Sequence, residues 1–175
     1  MSEKADLKNT SFISHSISVP FEAHDVFDFF IGNKISKYYS DLSRGHKYFR
    51  LRSGDRLEVG SVIDCEETAG NQSIKHEYHV SEILANERIC YSSKPSLLKI
   101  KFPWKEIDSR SNTYVRYDFE RDENSGTAVS LTIGIQFSTK FEQVFSSFFG
   151  GIVPWKKHCV EEMEGLKKVL MNVLS

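Results

Sequence analysis

The order of strand-like and helix-like segments limits the fold of this chain more than any other feature. Residues 12–19 alternate Phe12, Ser14, Ser16 and Ser18 with Ile13, His15, Ile17 and Val19, a period of two in β-forming residues that predicts a strand. Pro20 ends it. Residues 23–31 carry Val26, Phe27, Phe29 and Phe30 at helical spacing, and Gly32 closes that helix. A second short helix is predicted over 34–42. Six further strands follow, over 46–52, 61–69, 73–84, 88–94, 113–121 and 127–138, with turn-forming clusters such as Ser53-Gly54-Asp55 and Asn124-Ser125-Gly126 between them. Residues 97–104 fit either a strand or a loop. Pro154 is a favourable first helical residue. Beyond it Trp155, Cys159, Met163, Leu166, Val169, Leu170 and Val173 fall on one stripe of a long helix ending near residue 174. Strands in succession require an antiparallel meander, and the terminal helix must bury its stripe against one face of it. The predicted class is α+β: a curved antiparallel sheet of about seven strands around a long C-terminal helix, with two short helices after the first strand.

Composition narrows the function classes. The 175 residues contain no internal repeat and no Pro/Gly/Ser linker, so one domain is expected over 11–175, preceded by a flexible tail over 1–10. A net charge of −1, with basic residues spread along the chain, gives no broad electrostatic case for nucleic acid or for an anionic membrane. No apolar window reaches the ~18 residues of a membrane span, and the polar start lacks a signal-peptide core. Cys65, Cys90 and Cys159 are odd in number and far apart, the pattern of reduced thiols in a cytoplasmic protein. The oligomeric state is not encoded in these patterns.

The informative anomalies are polar residues on apolar faces. At about 100° per residue, Glu162 lies inside the apolar sector of the last helix, about 60° from Cys159 and 40° from Leu166. His158 sits at the edge of that sector, one turn before Glu162. A carboxylate turned toward an apolar core is unfavourable without a partner. His-x-x-x-Glu lets both side chains reach one ion; the same spacing also makes an ordinary surface pair. In the strand over 61–69, Ile63, Cys65, Glu67 and Ala69 share the more apolar face, so Glu67 is expected to point inward, toward a ligand, a rim or an internal salt bridge to Arg50. His46, at the entry to its strand, is either a fourth inward group or a solvated turn histidine. Two His and two Glu form a mixed nitrogen and oxygen set suited to Zn²⁺ or another divalent transition ion.

The element order resembles the helix-grip superfamily of plant pollen allergens (Bet v 1-like), START lipid-transfer domains and polyketide cyclases (SRPBCC). Three stretches resemble the phloretin hydrolase and diacetylphloroglucinol hydrolase family more closely. They are Tyr38-Tyr39-Ser40-Asp41-Leu42-Ser43-Arg44-Gly45-His46, then Val59-Gly60-Ser61 leading to Cys65-Glu66-Glu67-Thr68-Ala69-Gly70, and Trp155-Lys156-Lys157-His158-Cys159-Val160-Glu161-Glu162. The chain is shorter than those hydrolases, has Tyr38-Tyr39 in place of their Trp, and has Asn71 in place of a second Gly. The resemblance implies a zinc ion held by His46, Glu67, His158 and Glu162. Strand phase chooses Glu67 over Glu66, and sets the weaker alternative Glu77 on the outer face. It further implies hydrolysis of a carbon–carbon bond in an acylated phenol or similar aromatic ketone inside an apolar cavity. The aromatic ring must take up a proton in that reaction, and Tyr48, His76, Tyr78 and Tyr117 are the candidate catalytic donors.

Two other functions fit the same cavity. One is a non-enzymatic carrier of a small hydrophobic or aromatic ligand. Thirteen Phe favour it, with Phe141, Phe145, Phe148 and Phe149 before Gly150-Gly151 forming either a hinged lid or ordinary end packing. The other is a polyketide cyclase or aromatase, which needs no metal.

Overall fold

The structure, a computed structural model, describes residues 8–123, 126–140, 143–144 and 151–175. The elements run β1 (Thr10–Val19), α1 (Ala23–Ile31), α2 (Lys34–Leu42), β2 (His46–Leu51), β3 (Val62–Ala69), β4 (Gln72–Leu84), β5 (Arg88–Ser93), β6 (Ser96–Phe102), β7 (Lys105–Arg121), β8 (Thr127–Phe137) and the long helix α3 (Val153–Val173). The expected class holds. The sheet has eight strands, because the ambiguous 97–104 segment forms β6. The first strand begins at Thr10, inside the expected tail, whose first seven residues lie outside the described residues.

All pairings are antiparallel, in the order β1-β8-β7-β5-β4-β3-β2, with β6 pairing both β4 and β7. Hairpins account for most neighbours. The exceptions are β4–β6 and β5–β7, which each skip one strand, and β1, which closes onto β8 from Thr10↔Gln136 to Val19↔Thr127. The right-handed twist of so many strands curls the sheet, and α3 lies in the hollow. Its stripe of Trp155, Cys159, Met163, Leu166, Val169 and Leu170 is buried, joined by Ile63 and Cys65 of β3, Tyr78 and Val80 of β4, and Leu131 and Ile133 of β8. The two short helices bridge the sheet edges between β1 and β2. Helix α2 rests on α3 so closely that a Cβ on Gly165 would stand 2.0 Å from the Leu42 carbonyl oxygen. Only glycine permits that approach. It brings the α2–β2 junction, and His46 with it, over the middle of α3.

Candidate metal and ligand site

Four side chains from three elements meet at one end of the hollow. His46 comes from the start of β2, Glu67 from the end of β3, and His158 and Glu162 from one face of α3. His46, His158 and Glu162 are buried, and the Glu67 side chain is 12% exposed. Gly45 makes the meeting of β2 and α3 possible: a Cβ there would come within 2.1 Å of the Thr68 carbonyl oxygen and 2.9 Å of the His158 ring. His46 Nε2 stands 3.1 Å from His158 Nε2 and 3.7 Å from Glu162 Oε2, and His158 Nε2 stands 3.6 Å from Glu67 Oε2. One ligating atom from each of His46, Glu67 and His158 lies within 4.8 Å of the others.

These separations fit a tetrahedral ion. Zinc bonds of about 2.0–2.2 Å place neighbouring ligand atoms about 3.3–3.6 Å apart. The surrounding hydrogen bonds aim the correct atoms inward. His46 Nδ1 lies 2.8 Å from the Tyr39 backbone oxygen. A carbonyl only accepts, so Nδ1 carries the proton and Nε2 keeps its lone pair. His158 Nδ1 lies 3.2 Å from Ser43 Oγ, which accepts the Gly45 N–H at 3.1 Å. The Nε2–Nε2 approach is favourable only with a proton on one of the two Nε2 atoms or a cation between the two rings. Each carboxylate is held by one oxygen and offers the other. Glu67 Oε1 accepts from Tyr39 Oη at 2.5 Å and from Cys65 Sγ at 3.0 Å, leaving Oε2 toward His158. Glu162 Oε1 accepts from Tyr117 Oη at 2.8 Å, leaving Oε2 toward His46. Hydrogen-bonded partners behind the ligating groups are how proteins orient metal ligands. The Arg50 salt bridge offered for Glu67 does not form; Tyr39, Cys65 and His158 take its place.

The electrostatics are those of buried charge balanced by neighbours. Burial alone would raise the Glu67 pKa, but the His158 hydrogen bond and the charges of His46, His76 and His158 outweigh it and hold the carboxyl well below its usual range. Burial would lower the His46 pKa, and Glu162 with Glu67 reverses this, so its pKa is raised. Burial pushes the hydroxyls of Tyr39, Tyr78, Tyr91 and Tyr117 up, so all four stay protonated.

The two carboxylates of the cluster form the polar end of an internal cavity. Glu67 and Glu162 line it together with His76, Tyr78 and Tyr91, and its far wall is apolar, from Leu98, Val115, Leu131, Ile133 and Ile135. About 40 Å³ is open to the centre of a water-sized sphere, room for a few waters. His76 and Tyr78 share the inner face of a regular stretch of β4 and stack with ring centroids 4.5 Å apart. Ser96 Oγ donates to the Lys94 carbonyl and lies 3.1 Å from His76 Nδ1. His76 therefore donates through Nδ1 and presents Nε2 as an acceptor. Burial pushes its pKa down to about 4, so it is neutral at neutral pH.

Of the candidate proton donors, Tyr48 is misplaced. Counting by twos from His46 sets both on the inner face, but the β2–β3 register shifts between them. Tyr48 instead lies half-buried on the outer side, 5.7 Å from the Arg50 guanidinium. His76, Tyr78 and Tyr117 are inside. Sequence reasoning missed Tyr39 and Tyr91. Tyr39 stacks on His46 with centroids 3.8 Å apart and rings 8° from parallel. Its place on the buried side of α2, beside Ile35 and Leu42, was the available signal. The Phe141, Phe145, Phe148, Phe149 and Gly150 segment offered as a lid lies outside the described residues. Glu77 faces outward, as strand phase predicts, bonded to Arg52, His79 and Lys94.

No family model and no curated protein matches the chain, so the resemblance to phloretin hydrolases rests on the quoted residues alone. Solved structures do match. Ara h 8.0201 is 8% identical with a TM-score of 0.55, over 93% of this chain and 99% of that one. Major latex-like protein 151 from Panax ginseng is 8% identical with a TM-score of 0.55, over 85% and 97%. DynU16, from the dynemicin biosynthetic locus, is 9% identical with a TM-score of 0.55, over 94% of this chain and 48% of that one. At such identities the likeness is one of fold. The chain has the Bet v 1-like helix-grip fold, with a His/Glu/His triad of metal-binding character at one end of its cavity.

Proposed function

We propose that the protein is a zinc-dependent hydrolase acting on a small aromatic ketone in the internal cavity, with His46, Glu67, His158 and Glu162 as the metal ligands. The observation that carries this reading is the aim of the four groups. Ligating atoms of His46, Glu67 and His158 lie within 4.8 Å of one another, a Glu162 oxygen stands 3.7 Å from His46 Nε2, and each group is held from behind by a hydrogen bond. Buried charge with no permanent cation beside it costs stability, and a passive apolar pocket has no use for it.

A divalent ion at this point supplies Lewis-acid polarisation of a carbonyl and activation of water. The chain's own groups supply the rest. The apolar wall of Leu98, Val115, Leu131 and Ile133 takes the ring and excludes water. Tyr78, kept protonated by burial and lining the cavity, is the proton donor to the ring carbon. Neutral His76, stacked on it, takes at Nε2 the proton that the water gives up, which replaces the one Tyr78 passes to the ring. Tyr117 is committed to Glu162 and acts as a positioning residue. In the net reaction the bond between ring and acyl carbon breaks, the ring carbon gains a proton, and the acyl carbon gains the hydroxyl of water. The narrow void selects small substrates or requires lining side chains to move aside.

The second reading is a carrier of a small hydrophobic ligand, or a polyketide cyclase-like protein. Its support is the largely apolar lining and the shared fold. A panel of acylphloroglucinols and related aryl ketones, with zinc supplied, separates the two. Cleavage products detected by chromatography, absent in Tyr78→Phe and His158→Ala, support the hydrolase. Binding without cleavage at any pH supports the carrier.

A further inference from the structure

The chain carries a second unusual feature, far from the metal cluster. Strands β6 and β7 form a hairpin closed by Pro103-Trp104, with Phe102 opposite Lys105. Only Leu98, Lys99 and Ile100 of β6 pair with β4, and β8 reaches β7 only from Ser111 onward. Lys101 is still tied to Asn71 and Arg110 to Ser138, so residues 102–109 project as a two-stranded ribbon. A soluble ribbon should be polar at its tip, and this one is not. Trp104 is 77% exposed, and Phe102, which stacks on it with centroids 6.2 Å apart, is 39% exposed. Ile107 is 37% exposed and pairs with Ile100 on the same face. That face runs by twos from Phe102 through Ile100 to Leu98, and Leu98 lines the cavity. Isolated exposed apolar residues need no explanation, but a contiguous cluster on a projecting element does.

The charge around the cluster is also unusual. Residues 94–110 hold five cations; Lys94 is paired with Glu77 and Lys99 with Glu106, which leaves Lys101, Lys105 and Arg110 against Asp108 in a chain of net charge −1. The whole-chain balance, which gives no case for an anionic surface, conceals this local excess. Tryptophan and phenylalanine at a tip flanked by lysines match a lipid–water interface, where aromatic rings sit at headgroup depth and cations meet anionic headgroups.

We propose that the β6–β7 hairpin docks on an anionic lipid bilayer through Phe102 and Trp104, with Lys101 and Lys105 on the headgroups, so that the apolar face leading to Leu98 opens the cavity to a membrane-dissolved ligand. Bilayer contact of this kind is independent of the metal ligands. It extends to either use of the cavity.

Co-sedimentation of the full chain with vesicles tests it. The protein should bind vesicles of equal parts phosphatidylcholine and phosphatidylglycerol, bind phosphatidylcholine alone weakly, and release with salt. Trp104→Ala should weaken binding about tenfold, and Lys101→Glu with Lys105→Glu by at least as much. Unchanged circular dichroism confirms that these exposed substitutions leave the fold intact. Three results would overturn the assignment: no binding at any lipid concentration, equal binding to both vesicle types, or Trp104→Ala without effect. A lipid-free dimer seen by light scattering and dissolved by Trp104→Ala would assign the tip to self-association instead.

Discussion

Two carboxylate clusters lie on opposite faces of β3, one shared with β4 and the other with α3, and they are balanced in different ways. On the outer face Asp64 and Glu77 stand directly across the β3–β4 pairing. Arg52 bridges them, 2.7 Å from Asp64 and 2.6 Å from Glu77, while Lys94 and His79 complete the shell of Glu77. On the inner face Glu67 meets no such residue. Among the described residues no Lys or Arg pairs with Glu67 or Glu162; their partners are His46, His158, Tyr39, Cys65 and Tyr117. Solvated carboxylates are satisfied by their own mobile cations. Buried ones are arranged around a point where a cation would complete the balance. The contrast separates a surface network from a site, although both contain carboxylates of lowered pKa.

The largest effect that would sharpen this contrast is loss of an inner ligand. His158→Ala should lower zinc affinity by at least about a hundredfold, measured by competition with a chromogenic chelator. Arg52→Ala on the outer face should leave it unchanged. Equal losses in both variants would erase the distinction. Next in size is the linkage of metal to folding. Zinc at a hundred times its dissociation constant should stabilise the native state by about 2.7 kcal/mol, a rise of roughly 5–10 °C in Tm for a chain of this length. In Glu162→Gln that rise should disappear, while the metal-free variant melts at or slightly above the metal-free parent, because an uncompensated buried charge has been removed. A smaller loss, about tenfold in zinc affinity, is expected for Tyr39→Phe, which frees the Glu67 oxygen that Tyr39 holds.

The smallest effect belongs to the outer face. Glu77 is half-buried on the outer face, and Lys94, His79 and Arg52 lower its pKa to about 2. A depressed carboxyl stabilises the folded state above its unfolded pKa, near 4.5, and that contribution fades as pH falls through about 2. Salt should screen it. Acid titration should therefore show the parent more stable than Glu77→Gln above pH ~4.5, with the gap closing as pH falls through about 2, and only at low ionic strength.

The fold was legible because its periods are clean. The α3 stripe, the first short helix bounded by Pro20 and Gly32, and the run of strands each follow one repeat. Strand β6 was ambiguous because Pro95 and Pro103 bracket it and its tip is exposed on both faces. The site was legible where a single element sets the direction of a side chain. Helical phase placed Glu162 inward, and strand phase placed Glu67 beside Cys65. It was illegible where direction depends on pairing. The register shift after His46 turned Tyr48 outward, and no local pattern announces a bulge. Tyr39 escaped because its role depends on α2 settling against α3, which Gly165 permits.

The central claim is that the inner cluster holds a metal ion. Elemental analysis of the full chain, purified without chelators, tests it directly. About one zinc per chain is predicted, with loss in His158→Ala and Glu162→Gln and retention in Arg52→Ala. Zinc well below one equivalent, with no uptake when zinc is added to the folded protein, would contradict the account.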